Sequence, residues 1–479
     1  MSHNISKFKC LLISTNRERL PVPVIPLGVC LVATELNANG FDVQVLDLAF
    51  EKNPIHSITA RLNMFQPDIV CLSIRNIDNA NFLGPIFYLK EVKAYVQTIK
   101  KVSKAPVMIG GSAFNIAPEP ILDYVGADFG VWGDGEHVLV QSLQAILRGE
   151  SYSVLPGFVV KGHNNKGNYA AFRSPELSIY TDRDIFSWIN LKHYLRKGAN
   201  LPVQTKRGCP KKCVYCTYNN IEGYRSRFKD PQEVAEEVAC HVRRYRPKVV
   251  EFVDSIFNVP QSHAIQVCEA LTKKRLPVEF EASSISAGDV SEALFESLKQ
   301  AGFNSAVLTP DSASDAVLKE LKKGFGLDEV IKAAGYAQRV SIPVLWSFIM
   351  GGPGETEETV HETFRFIKEQ IGKKDVAFMV FGVRIYPGTE MAKRAREEGI
   401  VSQDDSLVEP RFYFSKELQR DDLIKLVREE ARGIKNLITV IDNQHPLVEK
   451  LTPLARLLRL PGPLWRYSRW LRTIRATLS

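Results

Sequence analysis

The stretch Arg207–Asn220 reads RGCPKKCVYCTYNN. Three cysteines, Cys209, Cys213 and Cys216, fall within eight residues at spacings of x3 and x2. A structural zinc site takes four protein ligands, and the chain has no second CxxC pair. Its other five thiols, Cys10, Cys30, Cys71, Cys240 and Cys268, each sit inside an apolar strand or helix pattern, where the expected role is a small buried hydrophobe. The three clustered cysteines stand instead in a basic loop with Gly208 and Pro210, where backbone can wrap a bound group. Lys206, Arg207, Lys211 and Lys212 beside them favour thiolates and offset the negative charge of a thiolate-bound iron–sulfur cluster. Three thiolates on a four-iron cluster leave one iron open.

Downstream of this loop, short apolar runs alternate with helical patterns. PVQTKRG, VVEFVDS, VEFEASS, NSAVLTP, VLWSFIM and VAFMVFG read as strands, separated by helices such as DPQEVAEEVACHVRRY and TEETVHETFRFIKEQ. About six βα units predict a partial TIM-like barrel over 201–409, with chemistry in the loops after its strands. Upstream, FKCLLIS, FDVQVLDL, PDIVCLSI, APVMIGG and ADFGVWGDGE alternate with helices, including one from Phe82 through Lys104. That is the pattern of a doubly wound, Rossmann- or flavodoxin-like α/β domain over 1–150. Ligands on such sheets sit at the carboxyl ends of the strands. Residues 151–200 are polar and read as a linker. Residues 410–479 read as a helical C-terminal region.

The chain has 479 residues, 45% hydrophobic and 24% charged, so several ordinary globular domains are expected. Eight cysteines are too few for a disulfide scaffold. With no leader-like N-terminus and no long apolar run, the protein is expected to be cytoplasmic with reduced thiols. A net charge of +8 is modest and no nucleic acid partner is expected. After Glu449 no acidic residue occurs. From Leu464, apolar residues recur at helical spacing with Arg466, Arg469, Arg472 and Arg475 mainly between them. Two readings stand side by side: a peripheral membrane helix on anionic lipid, or a basic helix capping the barrel.

The Cys209-x3-Cys213-x2-Cys216 spacing, with Tyr215 before the last cysteine, resembles the signature of the radical SAM superfamily. The resemblance implies that these cysteines hold a 4Fe–4S cluster and that S-adenosylmethionine chelates the open iron. GYRSRF (Gly223–Phe228), FVDSIF (Phe252–Phe257), FIMGGPGET (Phe348–Thr356) and RIYPGTEM (Arg384–Met391) are similar to further segments of one branch. It implies Asp254 as a contact to the cofactor's amino group, with Ser283 helping to position it. Where the family often has GxES, this chain has LTPDSAS (Leu308–Ser314), with Asp311 in place of the glutamate.

A doubly wound domain ahead of such a barrel resembles the cobalamin-binding radical SAM family. SIRN, IGGSAFNIAPEPIL and WGDGEH carry the likeness, and imply Ser73, Arg75, Asn76, Gly110, Gly111, Ser112, Gly133, Gly135 and Glu136 as cobalamin contacts. The loop after the first strand, ISTNRERLPVP, contains no histidine, so no DxHxxG-type ligand reaches the cobalt; Arg75 or Asn76 could face it. The implied activity is methylation of an unactivated carbon through a 5′-deoxyadenosyl radical and methylcobalamin. It needs an external flavodoxin- or ferredoxin-like electron donor and a small-molecule, lipid or peptide substrate. The alternatives are a cyclisation, rearrangement or oxidation without methyl transfer, and a non-catalytic iron–sulfur regulator. A methylthiotransferase fits less well, because Cys10 begins a strand and Cys30 lies within a helix pattern.

Overall fold

The computed structural model describes residues 7–150, 155–162, 170–440 and 465. The first sheet contains β1 (Lys9–Ser14), β2 (Asp42–Asp47), β3 (Ile69–Ser73), β4 (Val107–Gly110), β5 (Phe129–Val131) and β6 (Phe158–Val160). They lie in the order β2-β1-β3-β4-β5-β6. Every pair is parallel except β5 with β6. The apolar runs CLLI and IVCL explain the layering. Alternate side chains point to opposite faces, so Leu11, Ile13, Val70 and Leu72 enter one core. Cys10, Leu12, Ile69 and Cys71 enter another on the far side. The direction of strand order changes between β1 and β3, which opens a crevice at their carboxyl ends.

The second unit begins with β7 (Leu201–Val203) and a two-residue ribbon, β8 (Lys206–Arg207) with β9 (Arg227–Phe228). β10 (Val249–Phe252), β11 (Glu279–Ala282), β12 (Ala306–Asp311), β13 (Val344–Met350) and β14 (Val376–Phe381) follow, then the ribbon β15 (Val383–Arg384) with β16 (Phe412–Tyr413), and β17 (Leu437–Thr439). Two parallel runs form, β11-β10-β7 and β12-β13-β14-β17. Bridges Phe280↔Phe303 and Ile285↔Leu308 join them into one curved wall. Among the described residues β7 and β17 do not pair, so the barrel is partial and open on that side. On β13, buried Val344, Trp346, Phe348 and Met350 alternate with half-buried Leu345, Ser347 and Ile349. The Trp346 ring meets Phe366 of the helix Glu357–Glu369 at 5.4 Å, so the buried set faces outward and the half-buried set lines the barrel's inner face.

Three sequence expectations need correction. Residues 151–200 are not wholly a linker: β6 pairs with β5, and Leu191–Arg196 is a helix packed by Tyr194 into the main core. The helix expected from Phe82 starts at Leu89. Asn79 holds the preceding loop, donating to Gly84 O (2.8 Å) and accepting from the Ile86 amide (3.0 Å). The region after 410 is not purely helical either. Phe412–Tyr413 pairs with β15, Arg420–Glu430 is the one α-helix among the described residues there, and Leu437–Thr439 covers the edge of β14. Among the described residues no helix is long and apolar enough to cross a membrane. The basic tail after Glu449, apart from Trp465, lies outside the described residues.

Candidate functional site

The three-cysteine loop leaves the barrel after β8 and returns through β9. Gly208 makes that possible. Its φ of +98° is left-handed, and a Cβ there would meet Arg225 O at 2.3 Å. The Cys209 amide donates to Gly223 O (3.0 Å), the Val214 amide to Leu321 O (3.2 Å) and the Asn219 side chain to Lys211 O (2.9 Å). Cys209 is buried, while Cys213 and Cys216 keep partial access. Among the described residues no three His, Cys, Asp or Glu side chains gather around a single ion.

The basic neighbours do less than the sequence suggests. Arg207 is paired with Asp134 (3.0 Å) and Glu136 (2.5 Å), and Lys211 with Asp289 (2.5 Å). Lys206 is fully buried near Asp254, and burial lowers it to about 8. Burial instead dominates the free thiols. It raises Cys209 and Cys213, and pushes Cys216 up to about 12. A bound cluster must therefore supply the drive to deprotonate them.

The cation that sequence reasoning missed is Lys323. It lies twelve residues beyond Asp311, and its ammonium donates to Asp311 Oδ2 (2.5 Å), Thr309 O (3.0 Å) and Tyr215 Oη (3.3 Å). Tyr215 Oη also donates to Asp311 Oδ2. Burial alone would lower Lys323, but Asp311, Cys213 and Cys216 outweigh it and raise it above its usual value. Asp311 itself sits at φ +70° after a break in the β12–β13 register. Its Oδ1 accepts no hydrogen bond from a described residue and remains available to a ligand. Tyr215 and Asp311 are thus brought together.

Asp254 and Ser283 are placed otherwise. Asp254 Oδ1 accepts from the amides of Thr205 (2.7 Å) and Lys206 (3.2 Å), and Oδ2 from Thr205 Oγ1 (2.6 Å). Most of its acceptor capacity is filled, so it fixes the strand entering the cysteine loop. Ser283 Oγ donates to Glu251 Oε1 (2.5 Å). Glu251 and Glu281 share the Asn200 amide at 3.3 and 3.0 Å, giving the barrel's inner face a polar side.

The strand-end loops of the first sheet face this loop. The helix Ser112–Ile116 packs on the helix Tyr218–Ile221, directly after the cysteines. Ser73, Arg75, Asn76 and Ser112 cluster there: Ser73 O accepts from Thr15 Oγ1 (2.8 Å), and Arg75 O from Ser112 Oγ (2.6 Å). Arg75 is exposed; with the Asn76 amide oriented to satisfy both its O and its N, Asn76 donates to Arg75 O and accepts from Arg75 Nη1, each at 3.0 Å. Gly110 lies at the end of β4, and Gly135 opens a helix. Two expected cradle glycines serve packing instead. A Cβ on Gly111 would meet Ile74 O at 2.5 Å, and one on Gly133 Phe172 O at 1.9 Å. Glu136 likewise turns away from the crevice to Arg207. Ser73 and Ser112 bring short side chains to these strand ends, and the Ser14–Pro23 loop contains no histidine.

Family models agree with this division. The B12 binding domain matches residues 14–143, and the radical SAM superfamily residues 203–367. An uncharacterized methyltransferase of Pyrococcus horikoshii is 27% identical over 381 residues, covering 76% of this chain and 77% of its own. The tryptophan 2-C-methyltransferase of Streptomyces laurentii is 22% identical, covering 80% and 74%. Among solved structures, the radical S-adenosylmethionine methyltransferase TsrM of Kitasatospora setae, with cobalamin and a [4Fe-4S] cluster bound, superposes with a TM-score of 0.85 at 21% identity, covering 98% of this chain and 99% of its own.

Proposed function

We infer, from the cobalamin-binding radical SAM family to which this chain belongs, that it is a C-methyltransferase acting on an unactivated carbon of a small molecule. Its cofactors are a 4Fe–4S cluster, S-adenosylmethionine and cobalamin. When bound, they supply a deoxyadenosyl radical and a transferable methyl group. The observation that carries the reading is the packing of Ser112–Ile116 on Tyr218–Ile221, which turns the two cofactor loops toward one space.

In this reading Cys209, Cys213 and Cys216 hold the cluster. Asp311 Oδ1 and Tyr215 orient S-adenosylmethionine, with Lys323 fixing both. Asp254 sets the loop's entry. Ser73, Arg75, Asn76, Gly110 and Ser112, at the strand ends of the first sheet, would hold cobalamin, with Arg75 bringing a charged rather than a ligating side chain. The half-buried rings of Phe82, Phe412 and Phe414 shield the barrel mouth from water; Phe82 meets the others at 5.5 and 4.8 Å. Phe414 fits because Gly351 and Gly382 lack side chains: a Cβ on either would lie 2.9 or 2.7 Å from its ring. Electrons come from an external flavodoxin- or ferredoxin-like donor. Contact with a membrane surface, or a lipid substrate, rests on the sequence of the tail alone.

The test is to count products. Methyl transfer yields S-adenosylhomocysteine and 5′-deoxyadenosine together. Deoxyadenosine alone would exclude it and favour a cyclisation, rearrangement or oxidation.

A further inference from the structure

A continuous polar chain crosses the seam between the first sheet and the cysteine loop. It begins on the turn after β5. Asp134 accepts from Arg207 Nη1 (3.0 Å), from the Ser174 amide (2.7 Å) and from Arg227 Nη1. Glu136 Oε1 accepts from the same Arg207 Nη1 (2.5 Å). Arg207 Nε donates to Gln204 Oε1 (3.1 Å), and Gln204 Nε2 to Glu222 Oε1 (3.3 Å). Glu222 Oε2 then accepts from the amide of Gly208 (2.9 Å), the residue before Cys209. Arg227 closes the circuit through Ser174 O (2.7 Å) and Glu222 O (3.2 Å).

At its centre two acids, Asp134 and Glu136, meet two guanidiniums in a site that water barely reaches, with Glu222 beyond Gln204. Side-chain exposure is 5% for Asp134, 8% for Arg227, 10% for Glu136 and 13% for Arg207. Burial works against ionised Asp134, but Arg207 and Arg227 outweigh it and hold the carboxyl below its usual range. Such a tetrad is weak support for stability, since the charges lose their hydration. Its strength is geometric. Arg207 and Arg227 lie on the two arms of the ribbon that opens and closes the cysteine loop, and both grip one carboxylate of the other domain. The strand-end turn cannot shift without pulling Gly208.

We propose that Asp134, Glu136, Arg207 and Arg227 are positioning residues that couple occupancy of the first sheet's crevice to the conformation of the cysteine loop. The proposal rests on the reading that cobalamin and the cluster bind these two places. Coupling between two sites is reciprocal, so ordering the loop around a cluster must tighten the corrinoid seat.

The experiment titrates hydroxocobalamin into the full chain by absorbance, with and without a reconstituted cluster. The cluster-loaded protein should bind at least about 5-fold more tightly, the lower end of ordinary coupling. Glu136→Gln should bring the two affinities within about twofold, with the cluster's absorbance retained. Arg227→Lys keeps the charge and a single donor group but not the fork; it should lose more than half the coupling and guards against a Glu136 variant that folds poorly. Glu292→Gln, at the exposed pair with Arg339, should leave the full ratio. Equal affinities in the two wild-type forms, or an undiminished ratio in both tetrad variants, would overturn the proposal. Absence of corrinoid binding in both forms would remove the cofactor reading, and the proposal with it.

Discussion

The two sheets of this chain solve burial in opposite ways. In the first, β1, β3 and β4 are buried on both faces, and their alternating residues feed two separate cores. In the barrel, β13 and β14 bury one face and leave the other half open. The first sheet is a filled slab, with its polar groups gathered at the strand ends among the described residues. The barrel wall keeps an inner face for molecules, and its missing closure between β7 and β17 widens that space. One chain thus presents an edge and a bowl to each other, with the cysteine loop at the seam between them.

The comparison can be broken most sharply at the cysteine loop, which stands at the rim of the bowl. Cys213→Ala should abolish the visible absorbance of the reconstituted cluster, and a normal spectrum would sink that assignment. The next effect is on stability. Leu72→Ala, in the filled slab, should cost about 2–5 kcal/mol, whereas Leu345→Ala on the barrel's inner face should cost about 1 kcal/mol. Urea unfolding of the two variants checks the difference, and similar losses would mean the inner face is packed after all.

A third test concerns buried Glu355, at the foot of the helix behind β13. It accepts from the Gly351 amide and Thr359 Oγ1, both at 2.9 Å, and has no cationic partner among the described residues. Burial raises it from 4.5 to about 7. The folded state therefore holds this proton more tightly than the unfolded chain does. The stability it contributes is full below about pH 4.5 and is lost as pH rises through about 7, a change on the order of 3 kcal/mol. Glu355→Gln should flatten that part of a melting-temperature profile. The smallest effect belongs to the inner face again: Ser347→Ala should stay within about 0.5 kcal/mol.

Much of this was readable in the sequence. All six proposed barrel strands are present, because apolar alternation and the flanking helices leave few other solutions. Asp311, which the resemblance offered in place of the family's glutamate, lies within hydrogen-bond reach of Tyr215 in the cysteine loop. Lys323 was not readable, since nothing in LKKGFG says that the chain doubles back onto Asp311. WGDGEH misled for a related reason. An acid in a strand-end turn looks available to a ligand until an arginine some seventy positions away is seen to hold it. The loop at Phe82 was read as helix because its apolar residues fit that period, while the Asn79 bonds that prevent it are local side-chain choices.

The reversal at β6 has a consequence for how this protein could be divided. β6 begins beside the carboxyl end of β5 and runs away from it, and at that strand-end side Gly157 donates to Ala170 O (3.1 Å) and Phe172 pairs with Trp132 and Asp134 before the chain reaches Ser174. The piece that carries the first sheet intact therefore ends near residue 174, not 150. A domain exchange cut at the earlier position would strip a strand from the graft and leave Gly133 facing an empty notch. One cut at the later position would carry the Asp134 half of the seam along with it.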